Sequence, residues 1–272
     1  METNFSLQDK VIVVTGGTGI LGGTFVDGIA AAGGIVGILG RNEKVANERA
    51  SAIQQKGGRA LALIADVTNE AQLEAACEKM LSTFGKIDGL VNAAGGNIPD
   101  AVVQSNQDVF ELNIEALQEV VQLNLFGTVL PTQVFGKAIK ENGSGSIVNI
   151  SSVVSQLAIT KVLGYSLAKS AIDSYTKWFA TELANRYGDA IRMNAIAPGF
   201  FLTEQNRTLL TNPDGSLEKF SLNRSYYGLY LPPKTWRHIE NFSTNALALH
   251  VSSEIFSTED YIRDFKILLN EK

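Results

Sequence analysis

Tyr165 and Lys169 stand four residues apart, a spacing that sets a phenol and an ammonium on one face of a helix. Ser152 lies upstream, just beyond an apolar run over 146–150 that reads as a strand. A hydroxyl, a phenol and a cation can therefore converge into a group that handles protons. A free tyrosine titrates at about pH 10 and is a poor acid or base at neutrality, but a cation one turn away favours the phenolate and is expected to bring it toward working range. Lysine has donors to spare for ribose hydroxyls, and Ser152 is placed to hold a carbonyl or hydroxyl oxygen within reach of the phenol. A Tyr-x-x-x-Lys pair alone is equally an ordinary helix face, so its meaning depends on what surrounds it.

Those surroundings are elements suited to a nucleotide. The run Lys10-Val-Ile-Val-Val-Thr15 leads into Gly16-Gly17-Thr18-Gly19-Ile20-Leu21-Gly22-Gly23 and then an amphipathic stretch, the order of strand, tight turn and helix N-terminus that a dinucleotide fingerprint requires. Glycines let the backbone approach a pyrophosphate, whose charge meets free amides and the positive end of the helix dipole. Asp66, after the third apolar run, is placed to accept from an adenine amino group or to cap the helix that follows Val67. After the second run, Gly40 takes the slot where a carboxylate would bind a ribose 2′-hydroxyl, and Arg41 follows, which leans the cofactor toward NADP; a solvated loop cation is the plainer reading. Asn92-Ala93-Ala94-Gly95-Gly96-Asn97 offers small residues against which a ribose can lie. Asn124 is a polar residue in an apolar helical stretch, either a satisfied structural amide or part of a proton path. Ala197-Pro198-Gly199 closes the set after the sixth strand.

The punctuation predicts strands at 10–15, 34–39, 60–65, 87–92, 146–151 and 191–196. Helices are expected near 19–32, 43–56, 70–84, 114–140 and 164–187, the fourth with Pro131 as a kink point. Alternating strands and helices imply a three-layer α/β fold, a doubly wound parallel sheet of the Rossmann type. With 272 residues, 45% of them apolar, the chain can bury such a core. A net charge of -5, with cations scattered, gives no footprint for nucleic acid. The longest weakly polar stretch, 28–39, is too short for a membrane span of about 20 residues. Cys77 is alone, so no intrachain disulfide can form, and the first residues lack a secretion pattern; a reducing cytoplasm is the expected compartment.

Over 7–217 the chain resembles the classical short-chain dehydrogenases/reductases. The resemblance implies hydride transfer between nicotinamide and a secondary alcohol or ketone. It makes Asn124, Ser152, Tyr165 and Lys169 a catalytic tetrad, with Asn124 holding a water that links Lys169 to solvent. Cofactor residues would be Gly16, Thr18, Gly19, Ile20, Leu21, Arg41, Asp66, Val67, Asn92, Ala93, Ala94, Gly95, Tyr165 and Lys169, with Pro198, Gly199 and Thr203 at the carboxamide. The second glycine of the family loop is displaced here: Ile20 holds its position and Gly19 precedes it. That variant, with Ala94-Gly95-Gly96-Asn97-Ile98-Pro99, 125–133 and 199–207, is similar to the sugar-acid branch, D-mannonate oxidoreductase (fructuronate reductase) in particular. A polyhydroxy carboxylate needs donors and a cation. Asn97, Ser152, Lys161, Gln205 and Arg207 are the candidates, one of the two cations meeting the carboxylate. By resemblance the chain is a homotetramer or dimer.

The end departs from the family. From 229 to 272 there is no glycine, where typical usage of about 7% would give roughly three. Both histidines, His238 and His250, fall here without further ligands and read as ordinary residues rather than a metal site. The expected division is a Rossmann body at 1–217 and an atypical segment at 218–272, not a separate domain, with the last strand missing or replaced after a change of frame or exon. Two rival functions stay open: a reductase of another ketone, such as a 3-oxoacyl thioester or 5-ketogluconate, and a catalytically impaired dinucleotide-binding protein.

Overall fold

Six apolar runs form six parallel strands: β1 Val11–Thr15, β2 Ile35–Gly40, β3 Arg59–Ile64, β4 Gly89–Asn92, β5 Gly145–Ile150 and β6 Ile191–Ile196. The computed structural model describes residues 6–104 and 106–199, all within one compact unit, Met1–Gly199. Thr203, Gln205, Arg207, both histidines and the question of a last strand lie outside the described residues.

The strand order is β3-β2-β1-β4-β5-β6. Chain direction across the sheet reverses between β1 and β4, and the carboxyl ends of those two strands open the crevice in which doubly wound folds hold ligands. Pleating sends Val11 and Val13 to one face and Val14 to the other, and both faces are covered. One core layer brings Leu73, Cys77 and Met80 of α3 (Glu70–Phe84) together with Val134, Phe135 and Ile139 of α5 (Gly127–Glu141). The other packs Val26 of α1 (Ile20–Ala31) and Ala46, Ala50 and Ile53 of α2 (Glu43–Gln55) against β2 and β3. Each fully buried Leu, Ile or Phe contributes about 2 to 3 kcal/mol, which fixes the strands as a rigid platform.

Asparagines start three helices. Asn42 accepts from the Val45 amide, Asn69 from Gln72 and Asn113 from Ala116, caps worth about 1 kcal/mol each. The cap of α3 is therefore Asn69, and Asp66 does not serve in that role. The predicted 114–140 helix is interrupted: α4 (Ile114–Val121) runs into a π-turn at Gln122–Phe126 and then α5. The irregularity falls at Asn124, ahead of Pro131, which lies buried within α5. Helix α6 (Leu163–Tyr187) crosses beneath β5 and β6. Among the described residues no helix is long and apolar enough to cross a membrane.

Candidate active site

Among the described residues no side chain claims the first amides of α1. Gly19 holds its N-cap, makes no capping bond, and no acid lies in the first turn. Unlike the asparagine-capped helices, α1 keeps its N-terminal donors and dipole for an anion. The loop ahead is held tightly: the Gly19 amide donates to the Gly16 carbonyl at 2.9 Å and the Gly17 amide to that of Leu39 at 3.0 Å. Gly16 has φ +63, and a Cβ there would sit 2.8 Å from the backbone of Ala93 and Ala94. A Cβ on Gly22 would fall 2.1 Å from the Gly16 carbonyl oxygen, so the helix lies directly against the loop. The position of the displaced glycine is taken by Ile20, which is 64% exposed and starts the helix.

Thr15 is a residue that motif reading passed over. Its hydroxyl accepts from the Ala93 and Ala94 amides, both at 3.1 Å, tying the end of β1 to the turn after β4. Asn92 turns inward: its amide donates to Thr132 Oγ1 and Asn149 Oδ1, each at 2.9 Å, so toward a ribose it can offer backbone only. Among the described residues its buried Oδ1 has no partner. The network continues from Asn149 to Thr176 and from Thr132 to the Thr128 carbonyl. A polar asparagine inside the apolar run of β5 was the signal that could have exposed it.

Beyond the carboxyl ends of β2 and β3, Arg41 and Asp66 meet. The guanidinium lies 3.6 Å from Asp66 Oδ2, with Arg41 75% exposed. Asp66 also accepts from the amide and hydroxyl of Thr68 at 2.9 and 2.7 Å. Burial pushes its carboxyl up, but the Thr68 bonds and Arg41 outweigh that and hold it below the usual carboxylate range. Val67 is buried, its Cγ2 2.8 Å from where a Cβ on Gly127 would fall, and its polar groups are backbone only. A Cβ on Gly40 would lie 2.5 Å from Thr18 Oγ1, so the threonine fills the slot of the absent carboxylate.

Ser152, Tyr165, Lys169 and Asn124 come together at the carboxyl ends of β4 and β5. Ser152 follows β5 with extended backbone and opens a 3-10 turn over Val153–Ser155; its hydroxyl accepts from the Val154 amide at 3.4 Å. The turn is fastened to α6 through Ser151 Oγ to the Lys169 carbonyl and Ser170 Oγ to the Ser155 carbonyl. Lys169 is 4% exposed; its ammonium donates to the Ile150 carbonyl at 2.7 Å and stands 5.3 Å from the centre of the Tyr165 ring. Burial brings that lysine down to about 8, with Asp173 opposing.

The phenol does not follow the expectation. Burial pushes the Tyr165 pKa above 10, and the nearby Ser152 hydroxyl offsets only part of that. Lys169 faces the ring and spends a donor on Ile150, so in this state its charge does not hold the phenol down. Asn124 also differs. Its Nδ2 donates to the Gly96 and Val120 carbonyls at 2.7 and 2.8 Å, and its Oδ1 accepts from the Gly96 amide at 3.1 Å. The fully buried side chain is thus spent on the β4 turn, and what it can offer a water is its backbone carbonyl, which already accepts from Thr128. Gly95, at φ +159, completes the cradle: a Cβ there would fall 2.6 Å from Asn124 Oδ1 and 3.5 Å from Lys169 Nζ. A turn of alanine and glycine backbone, seated on Asn124 and Lys169 and beside a helix whose N-cap makes no side-chain bond, fits a dinucleotide.

Of the substrate candidates, Asn97 is half-buried and its Oδ1 accepts from the Ile98 amide at 3.1 Å, and Lys161 is exposed with φ +71. The Lys161 carbonyl accepts from the Val103 amide at 2.9 Å, joining the loop before α6 to the loop after β4. Pro198 is tied to the Ser152 turn through the Val153 amide at 3.0 Å.

A 3-2-1-4-5-6 parallel sheet with a Ser-Tyr-Lys group at its carboxyl edge defines an NAD(P)-dependent oxidoreductase. Residues 10–214 match the family described as short chain dehydrogenase, and the chain belongs to it. A second family, described as WxcM-like, C-terminal, matches residues 208–272. The uncharacterized oxidoreductase UxuB of Bacillus subtilis is 39% identical over 219 residues, 78% of each chain. The 2-dehydro-3-deoxy-D-gluconate 5-dehydrogenase of Dickeya dadantii is 33% identical over 79% of this chain and 80% of its own. A crystal structure from Haemophilus influenzae, provisionally named a D-mannonate oxidoreductase and containing NAD, superposes with a TM-score of 0.70 at 34% identity over 78% of each chain.

Proposed function

We propose that this oxidoreductase interconverts a keto sugar acid and its hydroxy acid, of the D-fructuronate and D-mannonate kind. The convergence of Ser152, Tyr165 and Lys169 beside the Gly95 turn carries the catalytic part of this reading. The nicotinamide, when bound, supplies or accepts the hydride. Ser152 holds the substrate oxygen, and Tyr165 delivers a proton to it in reduction and removes one in oxidation. A phenol raised by burial is protonated at neutral pH, which suits the reducing direction. Lys169 passes the replacement proton to the phenol and regains it from solvent through a water held at the Asn124 carbonyl. Gly16, Thr18, Gly19, Ile20 and Leu21 receive the pyrophosphate, Asp66 and Val67 the adenine, Ala93, Ala94 and Gly95 the ribose, and Pro198, Gly199 and Thr203 the carboxamide.

The substrate class rests on the loop variant and on relatives named for sugar acids. Asn97, Gln205 and one of Lys161 and Arg207 bind the hydroxyls and carboxylate. Kinetics of Lys161→Ala and Arg207→Ala on fructuronate test this, and an unchanged KM in both sinks the carboxylate clamp. Gly40 and exposed Arg41 favour NADP; the Arg41–Asp66 pair favours NAD, since a 2′-phosphate would have to share that guanidinium. Titration of Arg41→Ala with NADPH and NADH decides: a loss confined to NADPH supports the first.

Leu163, Leu167 and Trp178 on α6, with Ile114 and Phe126 across the π-turn, leave apolar side chains 41 to 63% exposed, a surface we assign to contact between copies in a dimer or tetramer. Light scattering of Trp178→Glu tests it: an unchanged mass removes the assignment. We place the body at 1–217 and read 218–272 as a segment joined from elsewhere. A match to a second family supports joining over a shifted frame, because a shifted frame yields text foreign to any family. The cytoplasm is the proposed compartment.

A further inference from the structure

We infer that Arg49, on α2, is a positioning residue for the dinucleotide, a clamp on the glycine loop from the adenosine side, and that Gly23 is glycine in order to admit it. This rests on reading the loop as the dinucleotide site. Arg49 Nη1 donates to the Gly17 carbonyl at 2.8 Å. The guanidinium lies across α1: a Cβ on Gly23 would fall 1.6 Å from Nη1, 2.4 Å from Cζ and 2.6 Å from Nη2. The two adjacent glycines of the loop therefore have separate reasons, Gly22 to clear the Gly16 carbonyl and Gly23 to clear an arginine from another helix. Gly23 is buried inside α1, where glycine is a poor helix former, so an alanine would be favoured if the space were free.

Among the described residues Arg49 makes no ion pair, so its charge is not neutralised there. It stands half-buried beside the first turn of α1 and adds to the positive field of that N-terminus. Its bond holds the Gly17 carbonyl while Leu39 holds the amide of the same residue, so the loop is locked between β2 and α2. A loop fixed before binding loses less freedom when it closes on phosphates.

The test is a double-mutant cycle read by cofactor fluorescence and thermal melting. Arg49→Ala is expected to raise the Kd for NADH or NADPH about tenfold, as for loss of a hydrogen bond from a charged donor, with kcat at saturating cofactor falling less than about twofold. Arg49→Lys should restore most of the affinity. Gly23→Ala displaces the flexible end of Arg49 without touching it chemically. It should weaken cofactor about as much in the wild type, yet add nothing in the Arg49→Ala background, where it should raise Tm. Unchanged affinity in Arg49→Ala, or a Gly23→Ala effect of equal size in both backgrounds, overturns the clamp. A wild-type chain that binds neither dinucleotide overturns the loop reading, and the clamp's role with it, before any variant is made.

Discussion

Replacing Asn124 with leucine removes a side chain that is fully buried and makes three hydrogen bonds, two to the backbone of Gly96 and one to the Val120 carbonyl. The partners are two carbonyls and an amide that have grown accustomed to an internal mate. At about 1 kcal/mol net for each bond, the loss is about 3 kcal/mol, and more where a partner stays dry. For a body of this size that corresponds to a fall in Tm of roughly 6 to 12 °C. Asn124→Asp sharpens the case, because an ionised carboxylate in that position faces two carbonyls and cannot donate to either. Its folded pKa must rise above the unfolded value, so the stability it permits is present at low pH and lost as pH climbs through the unfolded value of about 4 toward the raised folded one. Differential scanning calorimetry at pH 5 and pH 8 measures both variants. Asn124→Leu with a Tm within 2 °C of wild type, or Asn124→Asp equally stable at the two pH values, would refute the view that this amide anchors the β4 turn (thresholds of about these sizes follow from the bond energies above).

Three further outcomes are expected. Tyr165→Phe should lower kcat by about 10²- to 10⁴-fold while leaving the cofactor Kd nearly unchanged; comparable losses in both would move the phenol from proton transfer to binding. Lys169 is brought down to about 8 from 10.5, so the folded chain holds fewer protons than the unfolded one between those values and stability rises with pH there. Lys169→Met should flatten that rise in a Tm-against-pH curve measured from pH 8 to about 10, and a curve with the wild-type slope would show that the lysine is not the source. Thr132→Val cuts the buried line between Asn92 and the Thr128 carbonyl and should cost about 1 to 3 kcal/mol in urea denaturation, with an unchanged midpoint counting against the network.

The alternation of short β-branched runs and amphipathic segments made the sheet and its helices legible, because burial on both faces leaves little freedom in what such strands contain. Ends moved by a residue or two, as at β1, which starts at Val11 rather than Lys10. What the pattern hid were features set by geometry across the fold. Thr15, Arg49 and Asn149 each act on residues far away in the chain, and only the packed structure brings their partners near. The tyrosine pKa failed for a related reason: spacing along a helix places a cation nearby, but it does not reveal that a carbonyl of β5 takes its donor or that burial dominates the phenol. Asn124 was seen as a buried amide needing partners; that those partners are the turn after β4 follows from the interrupted helix.

That interruption also sets the phase of everything on either side of it. Each residue advances an α-helix by about 100°, so the wider turn at Gln122–Phe126 offsets the faces of α4 and α5 from those of one continuous helix. The two halves can then answer to different neighbours, α4 to α6 and α5 to α3 and β4, while Asn124 at the joint points to Gly96. Deleting one residue of the turn would leave the composition almost untouched and straighten the rod. One half would rotate out of register with its partner, and the buried amide would be carried away from the turn it holds.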